Sequence, residues 1–451
     1  MKKYPKMKDS EIEWIGKIPE HWNVKRLKHV TKFSLGLVIN PSDYFDEKGN
    51  IPIITGKNVS PNGIDLSNTD LITSESNNQL KQSQIFSDDI VTMRVGYAGR
   101  SAVVKSSEHG INCASLIITR SSINHNSNFV CSVLNSPIGN SQVLMNQNGM
   151  AQQVVNLSSW KNFVMLMPSK LEQNIISKFL DKKTAKIDSY ISKNQKLMLL
   201  LKEKRQSIIN QAITKGLDTS VPMKDSRIEW IRDTPKHWEV KSLKFTINMM
   251  TEFASNGSFA GLRKNVHYLF EPDYARLVRL TDLRKNVNNK NGIWIDQDSY
   301  EYLKKSKLFG DEILMANVGA YAGIFFRMPK ISEKASLAPN MIILKFNSNQ
   351  ILPDFFMYAS LSQHVVDRLK QLSLMTSAQP KIDKTGLKQI KIICPPITEQ
   401  QQIISFLNKI IPKVDLVLSK TQSQLEKLYE YRKSITSSIV TGKIDVRGAA
   451  A

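Results

Sequence analysis

The chain has 451 residues, 41% of them apolar, with 62 Lys and Arg against 40 Asp and Glu, a formal net charge of +22. That length leaves room for two or three domains with sizeable cores, and apolar residues this clustered and periodic exclude a disordered chain. A surface so positive attracts polyanions and releases their counterions, which puts DNA or RNA ahead of an anionic membrane, for which no basic amphipathic anchor is in sight.

In chain order, residues 1–29 form a first frame segment. It opens Met1-Lys2-Lys3-Tyr4-Pro5-Lys6, which lacks the apolar stretch of a signal peptide. Its run from Met7-Lys8-Asp9-Ser10 through Ile12-Glu13-Trp14-Ile15, Pro19, His21-Trp22, Val24-Lys25 and Leu27-Lys28 returns at an offset of 216, with fifteen identities, as residues 223–245. Such a repeat decides the organisation before any motif does. An insert, 30–168, follows the first frame. It carries expected strands at 51–55, at 90–95 entering the glycine-rich turn Gly96-Tyr97-Ala98-Gly99, at 101–105 and at 114–119, then a helical stretch over 127–145 and a strand at 162–167. Short β-branched runs bounded by Gly, Pro and Asn are the signal for these strands.

Residues 169–222 are a central helical frame, expected as a short helix over 171–181 and a long one over 184–214. After the repeated frame segment comes a second insert, 246–395, with the same order: strands at 275–281, at 313–318 entering Gly319-Ala320-Tyr321-Ala322-Gly323, at 324–328 and 341–346, a helical stretch over 353–372, and a strand at 389–394. The closing frame, 396–446, repeats the central one at an offset of 227, again as a short helix (398–410) and a long one (412–440), before a tail, 447–451. Pro412 sets that split, because proline is tolerated in a first helical turn and not mid-helix. The inserts do not align with each other, and the second is eleven residues longer. Strands mixed with helices without regular alternation give an α+β class with a pseudo-two-fold internal repeat.

The long helices carry a heptad-like stripe. Ile187, Ile191, Met198, Leu201 and Ile208 recur as Val414, Leu418, Leu425, Leu428 and Ile435. Such a stripe needs an opposing helix, and the economical solution pairs the two long helices antiparallel. The competing arrangement packs each helix on its own insert. Polar interruptions repeat in place, Asn194 with Thr421 and Arg205 with Arg432, and polar seam residues can fix register. Thirty helical residues span roughly 45 Å, somewhat more than one duplex turn of about 34–36 Å, so such a body would serve as a spacer.

No catalytic or metal motif is found. Gly56-Lys57 and Gly442-Lys443 lack the rest of a phosphate-binding loop, and Cys394-Pro395-Pro396-Ile397 lacks the Asn or Asp and the aromatic of an amino-methyltransferase loop. Cys113, Cys131 and Cys394 have neither zinc-site nor disulfide-frame spacing, which points to a reducing compartment. The only repeated histidines, His21 and His237, read as packed and hydrogen-bonded, and Trp14, Trp22, Trp230 and Trp238 as core anchors. With no apolar run long enough to span a bilayer, a soluble, cytoplasmic protein is expected.

The W-I-G-x-I-P-x-H-W run at Trp14 to Trp22, its altered copy at Trp230 to Trp238, and the P-x-x-x-E-Q-x-I starts at Pro168 to Ile175 and Pro395 to Gln402 resemble the specificity subunit of type I restriction–modification systems. The second P-x-x-x-E-Q start departs in having Gln402 before Ile403. The resemblance implies two globular target recognition domains, each reading one half of a split double-stranded DNA sequence, joined by an antiparallel coiled coil that sets the gap. It implies no catalysis and no cofactor in this chain. Two methyltransferase subunits using S-adenosylmethionine, and restriction subunits using ATP and magnesium, would be the partners. A sequence-nonspecific nucleic-acid scaffold is the alternative. Two unlike readers on a two-fold frame should read an asymmetric target, since identical readers would read a palindrome.

Base readout needs Arg, Lys, Asn or Gln held by a rigid element. The glycine-rich turns, where backbone can approach a phosphate, nominate Arg94, Tyr97 and Arg100, then Asn317 and Tyr321. The turn after the early strand nominates Lys57 and Asn58, then Arg279, Thr281 and Arg284. The segment before the last strand adds Gln152, Gln153 and Lys161, with Gln379 and Lys381 opposite. An ordinary solvated role competes at each position. Lys182, Lys183, Lys186, Lys193 and Lys196 form a basic helix face that is solvated, on phosphates or docked to a partner.

Overall fold

The computed structural model describes residues 2–38, 40–146, 154–228, 231–285, 287, 291–374 and 380–449. The chain divides into two units. Unit 1 joins Met1–Gln195 to Gln422–Ala451, and unit 2 is Lys196–Thr421. Unit 1 is discontinuous because the last residues complete the first frame. Lys2 bridges Asp445, and Gly442, at φ +71°, lies so close to Pro19 and Trp22 that a Cβ there would clash with the proline ring. Unit 2 does the same with contiguous chain: Gly216, at φ +78°, lies against the Trp238 ring. A left-handed glycine just past a helix end is the common C-terminal stop, and here it also admits an indole.

Unit 1 contains β1 (Asn23–Arg26), β2 (Phe33–Leu35), β3 (Ile51–Ile54), β4 (Asp70–Ile72), β5 (Ile90–Met93), β6 (Ser101–Val103), β7 (Asn112–Cys113) and β8 (Leu116–Thr119). Then come α1 (Ser127–Leu134), α2 (Pro137–Met145), β9 (Val164–Met167) and the long α3 (Lys170–Lys215), whose residues from Lys196 on belong to unit 2. An antiparallel sheet has the order β6-β5-β8-β2. A second sheet, β7-β3-β4, pairs β7 with β3 in parallel, and β1 pairs with β9. Strands β5 and β8 are buried along their whole length, Thr92 and Thr119 included.

Unit 2 contains β10 (Glu239–Ser242), β11 (Ile247–Glu252), α4 (Phe259–Asn265), β12 (Ala275–Val278), α5 (Leu280–Lys285), β13 (Ile293–Ile295), β14 (Lys307–Leu308), β15 (Ile313–Ala316) and β16 (Phe325–Arg327). It continues with β17 (Lys334–Leu337), β18 (Met341–Phe346), α6 (Pro353–Ser360), α7 (Gln363–Leu374), β19 (Lys391–Cys394) and the long α8 (Ile397–Val440), whose residues from Gln422 on belong to unit 1. The sheet order β16-β15-β18-β11 reproduces that of unit 1. The second sheet, β13-β12-β17-β14, repeats the unit 1 arrangement with its parallel pair β12 and β17 and adds a fourth strand, β14, and β10 pairs with β19. The offset between copies grows from 216 at the frame to 224 at β3 and β12, so most of the second insert's extra length precedes β12, around α4. The antiparallel sheets with flanking helices in both units agree with the α+β reading.

Three local expectations need correction. The strand expected over 275–281 ends at Val278, because the Asp282 carboxylate accepts the Arg279 N–H at 2.9 Å and turns the chain into α5. The helical stretch over 127–145 breaks where Ser136 caps α2 and Pro137 supplies its first turn. Neither frame helix is split: α3 runs 46 residues and α8 runs 44 through Pro412. Proline at that position removes the bond to the Asn408 carbonyl, a cost of about 3 kcal/mol, and buried Leu407 and Ile411, in the turn before it, hold the helix in place.

The helices pair antiparallel within each unit. In unit 1, Asp188 receives Arg432 in a two-pronged pair at 2.7 and 3.1 Å, and Gln195 donates to Tyr429 at 3.0 Å, so one helix advances as the other retreats. In unit 2, Arg205 makes the same fork to Asp415, at 2.7 and 3.3 Å. Ile187, Ile191, Leu425 and Ile435 are buried, and Met198, Leu201, Ile208, Val414, Leu418 and Leu428 half-buried. Asn194 and Thr421 donate back to the carbonyls of Tyr190 and Val417, four residues earlier on their own helices. Among the described residues no helix is long and apolar enough to cross a membrane.

Candidate nucleic-acid interface

The repeated histidines and tryptophans are fixed by the glutamate of the P-x-x-x-E-Q start. Glu172 accepts from Trp22 Nε1 at 3.3 Å and Tyr4 Oη at 2.7 Å, and bonds His21 Nε2 at 2.7 Å. Glu399 holds Trp238 Nε1 at 2.9 Å and His237 Nε2 at 2.7 Å. The following glutamines secure the inserts: Gln173 Oε1 accepts from Asn126 N, and Gln400 Oε1 from Leu352 N. Both motifs are therefore structural locks, as expected for the histidines. Trp22 and Trp238 are core residues, but Trp14 is 38% exposed and anchors nothing, a correction, and Trp230 lies outside the described residues.

What the frame positions is a turn in each insert. Gly96 and Gly99 have φ of +78° and +89°, and Gly319 and Gly323 have +85° and +90°. The backbone bonds match although the second turn has one more residue. Gly99 N donates to Met93 O and Gly323 N to Ala316 O, while Met93 N reaches Arg100 O and Ala316 N reaches Ile324 O. A Cβ on Gly99 would meet Val143 of α2 at 2.5 Å, and one on Gly323 would meet Leu369 of α7 at 3.2 Å. The glycines thus give each turn its left-handed backbone and seat it on a helix.

The three segments nominated in each insert converge at this turn. The segment before the last strand bridges it, Val154 to Val95 and Lys381 to Val318. The segment after the early strand also reaches it. Gly56 packs on Met93, and Arg284 of α5 stacks 3.8 Å over the Tyr321 ring. In unit 1 the corresponding Tyr97 carries Arg100 at 3.7 Å. Each Tyr-Ala-Gly thus presents an arginine–tyrosine stack, from different sequence positions. Lys161, Thr281 and Lys381 are exposed.

Two nominations do not survive as free readers. Asn58 is 4% exposed, and its amide is held by Thr55 N, Asp65 O and Asn68 O. Arg279 forks onto buried Asp282 at 3.0 and 2.9 Å, which raises its pKa and occupies its fork. Lys57 is paired at the surface with Asp70 at 3.3 Å. Gln152, Gln153 and Gln379 lie outside the described residues.

Sequence reasoning missed an aromatic patch on unit 2, where Phe259 is 87%, Phe270 77% and Tyr268 48% exposed. Phe259 and Tyr268 line a cleft of about 570 Å³ that also meets Asn317 and Lys381. The signal available was Ser258 capping α4; an apolar residue in such a helix reads by default as core. A larger cleft in unit 1, about 740 Å³, lies between α1 and the long helices and holds none of the nominated contacts. Among the described residues no group of three or more His, Cys, Asp or Glu is placed to hold a metal ion.

Comparison with known proteins agrees with this layout. A family model described as the type I restriction modification DNA specificity domain matches residues 19–199 and 277–427, one match in each half. The chain is 23% identical to the type I restriction enzyme StySPI specificity subunit of Salmonella potsdam, over 96% of this chain and 92% of that protein. It is 20% identical to the EcoKI specificity subunit of Escherichia coli strain K12, with the same coverage. A solved chain from the type I R-M system superposes with a TM-score of 0.69 at 13% identity, covering 95% of this chain and 99% of that one, a likeness of fold.

Proposed function

Because the chain belongs to the family of type I restriction modification DNA specificity domains, we propose that it reads an asymmetric, bipartite double-stranded DNA target and directs partner subunits to it. Each insert takes one half-site, and the paired helices set the gap. The chain carries no chemistry of its own. Two methyltransferase subunits bring S-adenosylmethionine, and restriction subunits bring ATP and magnesium.

One observation carries this reading. The two inserts build the same turn on equivalent sheets, each with an arginine–tyrosine stack, yet Arg94 in one stands where Asn317 stands in the other, and the stacked arginine is Arg100 of the turn in one and Arg284 of α5 in the other. Equal scaffolds with unlike contacts suit a target with unlike halves. A net charge of +22 supplies the phosphate-directed part of binding.

Methylation mapping tests it. DNA from cells expressing the chain with its cognate methyltransferase should carry a split, asymmetric adenine motif. A methylome that does not change when this chain is deleted refutes the proposal. Binding that competes equally with bulk DNA would instead make the protein a sequence-nonspecific scaffold.

A further inference from the structure

Arg94 and Asn317 occupy one place in the two units. Each is the first residue after the second strand of the four-stranded sheet, β5 or β15, and each opens the glycine turn. Each backbone carbonyl accepts from the segment before the last strand, Arg94 O from Val155 N and Asn317 O from Ile382 N, both at 2.8 Å. The backbone is therefore fixed alike, and only side-chain chemistry differs.

Both side chains also keep a buried polar atom without a partner among the described residues. It is Nε of Arg94, a donor, and Oδ1 of Asn317, an acceptor. Asn317 is 5% exposed and lines the cleft walled by Phe259 and Tyr268. Buried polar atoms in folded proteins are nearly always bonded, and leaving one unpaired is destabilising. Such atoms occur elsewhere in the chain too, but here one structural position carries one in both copies, with opposite polarity.

We propose that this position sets base identity in each half-site. Arg94 meets the O6 and N7 acceptors of a guanine in the first half, and Asn317 meets the N6 amino group and N7 of an adenine in the second. This rests on the reading of the inserts as half-site readers.

The test maps methylation in cells carrying the cognate methyltransferase with wild-type, Asn317→Ala, Asn317→Arg or Arg94→Ala protein, and measures duplex affinity and thermal midpoint for each. Asn317→Ala should relax one base of the second half-site, weaken cognate binding roughly tenfold or more, and leave the first half-site unchanged. Arg94→Ala should do the converse, and Asn317→Arg should move the preference at that base from A·T to G·C. The inference is overturned if the wild-type motif is bipartite and the variants leave it intact. It is equally overturned if they weaken all duplexes alike with a lowered midpoint, which marks a structural role. If wild-type protein yields no bipartite motif, the half-site reading itself fails.

Discussion

Glu172 is 4% exposed, yet three donor-bearing side chains converge on it. Burial, and then the bond to Glu172, push the Tyr4 phenol well above its ordinary range, so it stays a donor. Glu172→Ala would leave Tyr4 and Trp22 with buried, unanswered donors. A loss of about 3 kcal/mol is expected, since each orphaned group costs about 1–3 kcal/mol, and Glu172→Gln, which keeps an acceptor, should lose less; urea midpoints measure both. His364 gives the pH dependence. It is 6% exposed, and burial pushes its pKa down to about 4, against the opposing pull of Asp367. The unfolded chain binds that proton near pH 6.5, so the folded state is penalised as pH falls from about 6.5 towards 4, by at most about 3 kcal/mol. Replacing it, as His364→Gln, should flatten the pH dependence of the unit 2 midpoint over that window; an unchanged slope would rule His364 out as its source. At this scale the hydrogen-bonded histidines were legible because they repeat beside tryptophan, although both stay about half exposed. The buried amide of Asn58 and the exposure of Trp14 were not, because both depend on partners or neighbours far away in sequence.

The long helices show how far periodicity reaches. It located the stripe and the polar interruptions, but it could not tell that Arg205 and Arg432 answer Asp415 and Asp188, because that requires the antiparallel register. Both pairs are partly exposed, so each contributes little to stability, about 0.2–1 kcal/mol; their value is in fixing register. Arg432→Asp should therefore lower the midpoint of unit 1 modestly, and adding Asp188→Arg should restore it; a double variant no better than the single one would show that the pair does not couple. Pro412 misled because the residue rule is local, whereas the helix is held by Leu407 and Ile411 in the core. Restoring the lost backbone bond with Pro412→Ala should stabilise unit 2 by about 1–3 kcal/mol, seen as a raised thermal midpoint. The early strand of the second insert was overextended for a related reason: Asp282, just past the expected strand, reaches back to cap the turn at Arg279.

For the molecule as a whole, charge and specificity should separate experimentally. A protein of net charge +22 that neutralises several phosphates loses affinity linearly in log salt, with a slope near −0.9 per phosphate contacted. Phosphate contacts carry no sequence information, whereas base contacts do. Cognate and scrambled duplexes should therefore give steep lines of similar slope but displaced intercepts. The displacement should be contributed by the inserts, where the copies differ, and little by the frame, where they agree. Exchanging residues 246–395 for the corresponding insert of another family member should change one half of the methylation motif, keep the other half and the gap, and leave the salt slope nearly as it was. The frame argues for this independence: Gln400 fastens the second insert through a residue also present in the first copy, as Gln173, so a foreign insert meets a familiar seat. An exchange that altered both halves of the motif would show the inserts to be coupled through the helices and would end the description of this chain as two separate readers on a spacer.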